Sequence, residues 1–259
     1  MGSLPPKPTI VWINGSFSPA SFYTDVADGI RNRGYDIVVD TLPSSARTPP
    51  EKPATMEEDA AYFHDIVERL CDEGKDVVLA MHSYGGVVGS ECSRGLSKAE
   101  RTAAGQRGGI TQLVFVTCVV PDVGVSLREV TASGSSPWLI LREDGYMEHI
   151  AEESAGTSFS GLPHAEGVAW VKKMPLHSLA SFEGKLTYAG YKHIPSSWIF
   201  CEQDIILPPD FQRSCIERIE RESGRQVRVY RLAADHCPNA SAPRELVKAL
   251  DDAVADFEK

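Results

Sequence analysis

The segment Val77–Gly86, with the sequence VVLAMHSYGG, decides the fold of this chain. An apolar, β-branched run leads directly into Ser83, and two glycines follow one residue later. A serine at such a strand-to-helix corner adopts an unfavourable backbone conformation, and its hydroxyl projects above the sheet, as a nucleophile requires. The pattern Gly-x-Ser-x-Gly is matched only in its second half, because Met81 occupies the first small-residue position.

Composition bounds the class of protein and its partners. The chain has 259 residues, of which 42% are hydrophobic, so it can bury a substantial core. A formal net charge of -10 without a Lys/Arg cluster argues against nucleic acid and anionic membranes and favours a small-molecule substrate. The six cysteines are scattered, which is typical of reduced thiols in a core.

The termini and apolar runs predict a location. Residues 1–8 lack the basic-then-apolar profile of a secretory signal, and no apolar run is long enough to span a bilayer. We therefore expect a cytoplasmic protein that does not bind a membrane. The sequence leaves a homodimer open.

Strand and helix patterns alternate along most of the chain. Strands are predicted at 9–13, 35–40, 76–81, 110–120, 197–202 and 226–232, and helices at 22–33, 55–73, 84–93, 209–221 and 243–257. Residues 42–53 are predicted to be an irregular loop, and residues 96–109 a helix end followed by an exposed loop. The alternation lacks hairpin signals, which indicates a parallel sheet covered on both faces.

Between about residues 121 and 192 the regular pattern weakens. We call these residues the cap segment. Its aromatic residues stand among Gly, Ser and Glu in short helix-like pieces, a pattern typical of a cap over a site. We predict one domain, residues 1–259, that includes this segment.

A serine is a weak nucleophile until a base takes its proton, so Ser83 requires a histidine that is oriented by a carboxylate. His236 follows the last predicted strand, where its side chain can overhang the carboxyl edge of a parallel sheet. Asp204 follows the preceding strand in the same way, and Asp122 is an alternative acid because it also follows a strand. His82 is expected to pack behind the corner.

The other histidines (His64, His149, His164, His177 and His193) lack this strand-end placement, although His177 is a candidate substrate contact.

Four motifs in the expected order carry a resemblance to a known family. They are His82-Ser83-Tyr84-Gly85-Gly86, Asn14-Gly15-Ser16, Glu202-Gln203-Asp204 through Leu207-Pro208 to Phe211-Gln212, and Ala234-Asp235-His236. Together they resemble the α/β-hydrolase superfamily, in particular its small branch of plant methyl esterases and hydroxynitrile lyases. The resemblance implies a triad of Ser83, His236 and Asp204, and an oxyanion hole formed by the backbone N–H groups of Ser16 and Tyr84.

Three positions depart from this branch. Gly15 stands where the hydroxynitrile lyases carry a threonine, and Cys237 stands where they carry a lysine that assists with cyanide. Both differences weigh against a lyase. Asn14 replaces the usual histidine of a His-Gly loop, which indicates a change in loop hydrogen bonding.

The predicted protein is an α/β hydrolase with a mostly parallel, six-stranded sheet and a helical cap, and it requires no metal or organic cofactor. It is expected to hydrolyse a small, largely apolar ester or lactone. Candidate substrate contacts are Phe17, Trp138, Tyr146, Phe159, Trp170 and His177, although the cap aromatics could equally form cap core. The alternatives are a lyase or cyclase acting on a cyanohydrin or polyketide-like substrate, and a receptor that binds a ligand without hydrolysing it.

Overall fold

The computed structural model describes residues 7–131 and 137–257. The strands are β1 (Thr9–Ile13), β2 (Ile37–Asp40), β3 (Asp76–His82), β4 (Gly109–Val116), β5 (Leu139–Leu141), β6 (Tyr146–His149), β7 (His177–Ser178), β8 (Ser196–Cys201) and β9 (Arg228–Leu232). The helices are α1 (Thr24–Arg31), α2 (Pro43–Ala46), α3 (Met56–Asp72), α4 (Gly85–Cys92), α5 (Lys98–Ala103), α6 (Leu127–Thr131), α7 (Ala151–Ser158), α8 (His164–Val171), α9 (Ala180–Glu183), α10 (Pro209–Ser223), α11 (Pro238–Ser241) and α12 (Pro243–Phe257).

Six strands form the central sheet in the order β2-β1-β3-β4-β8-β9, and every neighbouring pair is parallel. The predicted α/β-hydrolase fold with a six-stranded sheet is therefore confirmed. Since all six strands run the same way, their carboxyl ends meet at one edge, which places the following loops around a common site.

Side chains of the central strands alternate between two apolar cores. On β1, Val11 and Ile13 pack into the core that includes α3, α4 and α10, whereas Ile10 and Trp12 pack against α1 and α12. All four are fully buried. A strand covered on both faces reads as a continuous apolar run, which is why β1 could be predicted with its correct ends.

Helix α3 begins with a capping box, as predicted. The Thr55 hydroxyl accepts a hydrogen bond from the Glu58 N–H at 3.3 Å, and the Glu58 carboxylate accepts one from the Thr55 N–H at 2.9 Å. These two bonds satisfy amide groups that the first helical turn leaves without a partner. Helix α3 then covers one face of the sheet and packs against α4.

Several predicted boundaries were wrong. Strand β4 ends at Val116 rather than Val120, so the chain leaves the sheet four residues earlier. The predicted irregular loop contains α2, whose first residue is a proline, and residues 96–109 contain α5, which begins after a capping bond at Ser97. Helix α2 thus forms where composition predicted loop, and α5 lies in the part of the chain where a helix end was predicted.

The cap segment contains β-structure as well as the expected short helices. Strands β5, β6 and β7 form an antiparallel three-stranded sheet. The turn between β5 and β6 contains Asp144 and Gly145, and Gly145 has a φ of +82°. Asp-Gly is a strong hairpin signal, so the sequence does contain one such signal, in the cap segment outside the alternating strands and helices.

No helix within residues 7–131 and 137–257 is long and apolar enough to cross a membrane. Residues 1–6, most of the segment on which the absence of a secretory signal was predicted, lie outside the described residues. The cytoplasmic location therefore stays a prediction. All six cysteines are free and buried, in agreement with thiols in a core.

Candidate active site

Ser83 lies in the tight turn that joins β3 to α4. Its φ is +52°, in the left-handed region that residues with a Cβ rarely adopt. The helix can follow at once because glycines stand where the backbones meet. A Cβ at Gly85 would lie 2.5 Å from the Ile13 carbonyl oxygen, and one at Gly86 would lie 2.7 Å from the Cys118 Cβ. The sequence pattern therefore reflects a steric requirement at both glycines.

Met81, the unexpected residue of this turn, is accommodated by a third glycine. Its side chain is fully buried on β3. It packs against Gly89 of α4, where a Cβ would meet the Met81 Sδ and would lie 2.8 Å from its Cγ. The Met81 side chain thus occupies the space that is left free because Gly89, one turn beyond Gly85, has no side chain.

The structure brings Ser83, His236 and Asp204 together. The Ser83 Oγ lies 3.0 Å from the His236 Nε2, and the His236 Nδ1 lies 2.7 Å from the Asp204 Oδ2. All three residues are buried. Asp204 follows β8 and His236 follows β9, so both reach the carboxyl edge of the sheet near the turn that holds Ser83.

Asp122, the alternative acid, lies elsewhere. Its carboxylate pairs with Arg218 at 3.0 Å and with Arg221 at 3.4 Å, and its side chain is 46% exposed. Because β4 ends early, Asp122 belongs to a longer loop and is held at the surface by helix α10.

Asp204 is held as a carboxylate. Its Oδ1 accepts hydrogen bonds from the N–H groups of Ile206 at 2.8 Å and Leu207 at 2.9 Å, and the Thr117 hydroxyl donates to its Oδ2. Burial raises the pKa of Asp204, but the neighbouring His236 and these donors outweigh burial and lower its pKa overall. An ionised Asp204 fixes the proton of His236 on Nδ1, which leaves Nε2 to accept the Ser83 proton.

His82 connects two loops of the site. Its Nε2 donates to the His236 carbonyl oxygen at 2.7 Å, and its Nδ1 lies 2.8 Å from the Tyr23 hydroxyl. The Tyr23 oxygen also accepts the Gly15 N–H at 3.2 Å, so its own proton goes to His82. Burial lowers the pKa of His82 to about 3 and keeps it neutral, as this arrangement of protons requires.

The backbone N–H groups of Ser16 and Tyr84 have no hydrogen-bond acceptor among the described residues. Both residues line the cavity that contains Ser83. Phe17, directly after Ser16, has a φ of +56°, and its own N–H is directed to the His177 Nδ1 at 3.4 Å. Two unpaired amides beside a serine are the donors that an oxyanion requires.

The cavity above Ser83 has a volume of about 560 Å³. Its lining includes Ser83 and His236, and among the predicted substrate contacts it includes Phe17 and Trp138. Most of the remaining lining side chains are apolar; they include Val119, Leu127, Val130, Leu139, Ile205, Ile206 and Phe211.

Four predicted substrate contacts do not line this cavity. The Tyr146 hydroxyl donates to the Glu51 carbonyl oxygen, and Phe159 stacks on Trp170 with ring centroids 5.9 Å apart. Trp170 in turn contacts Phe22 of the main fold. His177 is fully buried, with Nδ1 2.8 Å from the Ser45 Oγ and Nε2 3.0 Å from the Ser181 Oγ. Phe159 and Trp170 pack in the apolar core of the cap segment, one of the two possibilities that the sequence left open for the aromatic residues, whereas Tyr146 and His177 are buried where the cap segment meets the main fold.

His149 lines the cavity, although it does not follow a strand of the central sheet as His236 does. It lies at the end of β6, and its ring meets Phe17 edge-on with centroids 4.3 Å apart. The Asp-Gly turn could have predicted this strand, but not the direction of the histidine. Within the described ranges no group of three or more His, Cys, Asp or Glu residues is arranged to hold a metal ion.

Residues 10–249 match the sequence model of the alpha/beta hydrolase family, and the chain belongs to that family. The probable hydrolase R7 of Phoma sp. is 32% identical over 240 residues, which cover 93% of this chain and 95% of that protein. An alpha/beta hydrolase of Aspergillus novofumigatus, nvfD, is 23% identical over 256 residues, which cover 96% and 98%.

Solved structures share the fold. A pyrethroid hydrolase from Sphingobium faniae aligns with a TM-score of 0.73 at 21% identity, covering 96% of this chain and 97% of its own. Polyneuridine aldehyde esterase aligns with a TM-score of 0.73 at 18% identity, covering 98% and 100%. The Arabidopsis methylesterase MES16 aligns with a TM-score of 0.71 at 15% identity, covering 96% and 99%. The predicted resemblance to plant methyl esterases is thereby confirmed at the level of fold.

Proposed function

We propose that this protein is a serine hydrolase that cleaves a carboxylic ester or lactone. The observation that carries the proposal is the 3.0 Å contact between the Ser83 Oγ and the His236 Nε2 inside a cavity large enough for a small molecule. The relatives named as hydrolases and the structural neighbours named as esterases support the same reaction class.

The proposed reaction begins when the Ser83 Oγ attacks the carbonyl carbon and His236 takes the hydroxyl proton at Nε2. The negative oxygen that forms is stabilised by the N–H groups of Ser16 and Tyr84, each worth about 3 kcal/mol in a site shielded from water. His236 then gives the proton to the leaving alkoxide as the acyl-enzyme forms. Water, activated by the same histidine, releases the acid and restores Ser83. Asp204 stabilises the imidazolium in both steps.

The cavity favours a small, uncharged, largely apolar substrate. Its lining is mostly aliphatic and aromatic, and no Lys, Arg, Asp or Glu from the described ranges contributes to it. A charged acyl or alcohol group would lose its hydration there without gaining a counter-charge. Part of the lining, including Leu127, Trp138 and Leu139, comes from the cap segment, which we propose covers the site as a cap.

The proposal is tested with p-nitrophenyl acetate and p-nitrophenyl butyrate. Wild-type protein should release p-nitrophenolate, and Ser83→Ala should lose activity by about 10³-fold or more because no acyl-enzyme can form. Ser214→Ala makes the same substitution on the exposed face of α10 and should retain activity. A fluorophosphonate probe should label wild-type protein and Ser214→Ala but not Ser83→Ala. Absence of both turnover and labelling in wild-type protein would refute the proposal.

The lyase alternative has less support. A Cβ at Gly15 would lie 2.9 Å from the His82 Nδ1, so a threonine at this position would disturb the bond between His82 and Tyr23. Cys237 is buried beside the cavity, where burial raises the pKa of its thiol and keeps it uncharged. If the probe labels Ser83 but no ester is hydrolysed, cyanohydrins and polyketide lactones should be tested as substrates of a lyase or cyclase. Saturable binding of a ligand that is not consumed would indicate a receptor.

A further inference from the structure

We propose that His149 is a specificity-determining residue that forms a hydrogen bond with a hydroxyl group on the substrate. The inference rests on the proposed esterase function and extends it. It predicts that the preferred substrate is a hydroxylated ester rather than a plain hydrocarbon ester.

The protein pairs one of the two ring nitrogens of His149. The Ser154 Oγ lies 3.2 Å from the Trp138 carbonyl oxygen and 2.7 Å from the His149 Nδ1. The Ser154 hydroxyl thus pairs with the Nδ1 of His149. The Nε2 of His149 has no partner among the described residues.

His149 is placed beside the reacting groups. It lines the same cavity as Ser83 and His236, and its ring contacts Phe17, the residue after the proposed oxyanion donor Ser16. Burial lowers the pKa of His149 to about 4, and the nearby His236 lowers it further in the same direction. At neutral pH the ring is therefore uncharged.

Three hydroxyls of the cavity lining are already used by the protein. Ser18 donates to the Ser16 carbonyl oxygen, Thr131 donates to the Leu127 carbonyl oxygen, and Tyr84 donates to Asp59. The Nε2 of His149, like the hydroxyls of Ser16 and Ser158, is a polar atom of the lining without a partner among the described residues. A site with such an atom in largely apolar surroundings discriminates against a substrate that lacks a matching polar group, because the atom then stays unpaired after water is displaced.

The test compares p-nitrophenyl butyrate with its 2-hydroxy and 3-hydroxy derivatives, each as separate enantiomers. For wild-type protein, kcat/KM should be at least about tenfold higher for one hydroxylated ester than for the plain ester. In His149→Phe this ratio should fall to about one. His149→Gln should recover part of the ratio, since its side-chain amide can place a donor or an acceptor near the position of Nε2. His164→Phe alters an exposed histidine that does not line the cavity and should leave the ratio unchanged.

A ratio that is equal in wild-type protein and His149→Phe, or a wild-type preference for the plain ester, would overturn the inference. Binding separates this result from failure of the proposed function. In the Ser83→Ala background, calorimetry with methyl butyrate and the separate enantiomers of methyl 2-hydroxybutyrate and methyl 3-hydroxybutyrate should show tighter binding of one hydroxylated ester, and adding His149→Phe should abolish the difference. If wild-type protein hydrolyses no ester, this binding difference still supports the role of His149, and equal binding refutes it.

Discussion

His149 and His177 lie on neighbouring strands of the same small sheet, and hydrogen bonding separates their roles. Met147 pairs with His177 across β6 and β7, so the two histidines are close in space. Both nitrogens of His177 form hydrogen bonds with serines, and its ring packs against the ring of Phe17. His149 has one satisfied nitrogen and lines the cavity. Residue type alone cannot distinguish a core histidine from one available to a ligand; the partner of each nitrogen can.

At the residue scale, Asp204→Asn tests which acid supports His236. We expect kcat/KM to fall about 10³- to 10⁴-fold, because an amide cannot stabilise the imidazolium and favours the wrong tautomer of His236. Asp122→Asn is the matched control, since Asp122 pairs with arginines at the surface. It should keep nearly full activity towards p-nitrophenyl butyrate. Retained activity in Asp204→Asn would show that His236 does not depend on this carboxylate.

At the scale of elements, the contact between β3 and α4 depends on a large residue on the strand packing against a glycine on the helix. Met81 is large where a small residue is usual, and Gly89 is small on the facing helix. Gly89→Ala should lower the free energy of unfolding by about 1–3 kcal/mol, because a buried side chain must leave its position to admit the methyl group. Urea denaturation measures this loss.

Gly156→Ala is the matched control for this prediction. Gly156 lies in helix α7 with nothing within 4 Å of the position that a Cβ would take. The same substitution there should raise the free energy of unfolding by about 0.5–1 kcal/mol, because alanine has the higher helix propensity. In a Met81→Ala background Gly89→Ala should become nearly neutral; an unchanged loss would show that Met81 is not the residue displaced.

At the scale of the whole molecule, several contacts hold the cap segment on the main fold. The Asp235 carboxylate accepts the Gly161 N–H at 2.8 Å and also the Ser241 hydroxyl, which joins the segment to the loop that carries His236. Trp170 packs edge-on against Phe22 with ring centroids 4.9 Å apart. The cavity wall and the loop of His236 are thereby coupled in position.

Buried neutral histidines should make the whole fold sensitive to acid. Burial lowers the pKa of His82 to about 3, of His149 to about 4 and of His177 to about 3. These groups take up protons near pH 6.5 when unfolded but not when folded, so their contribution to stability is complete above that pH and is lost as the pH falls. For each pH unit below 6.5, each of these histidines lowers the free energy of unfolding by up to about 1.4 kcal/mol, because only its unfolded form is protonated. Burial raises the pKa of Asp59 to about 6, which opposes the loss but offsets only one of the three.

We therefore expect the urea midpoint to fall clearly between pH 7.5 and pH 5. His177→Gln should weaken this pH dependence, because glutamine does not titrate in this range. His164→Gln, at an exposed histidine paired with Glu152, should leave the dependence as it is in wild-type protein. A midpoint that does not change with pH would mean that the buried histidines are protonated in the folded state.

The sequence by itself determined the central sheet, the long helices and the placement of Ser83, Asp204 and His236 at strand ends. These features follow from local chemistry, since buried parallel strands read as apolar runs and the loops after them share one edge. Only the tertiary structure decided between Asp204 and Asp122, because both follow strands and the choice depends on where Arg218 and His236 lie.

The tertiary structure also decided which cap side chains face the cavity. Strands β5, β6 and β7 have three, four and two residues, too few for periodicity to assign a face. Whether a side chain there lines the cavity or fills the cap core depends on packing against distant parts of the chain, as with Trp170 on Phe22 and His149 on Phe17. Such contacts join residues that are far apart in sequence, so the local pattern of apolar and polar residues cannot predict them.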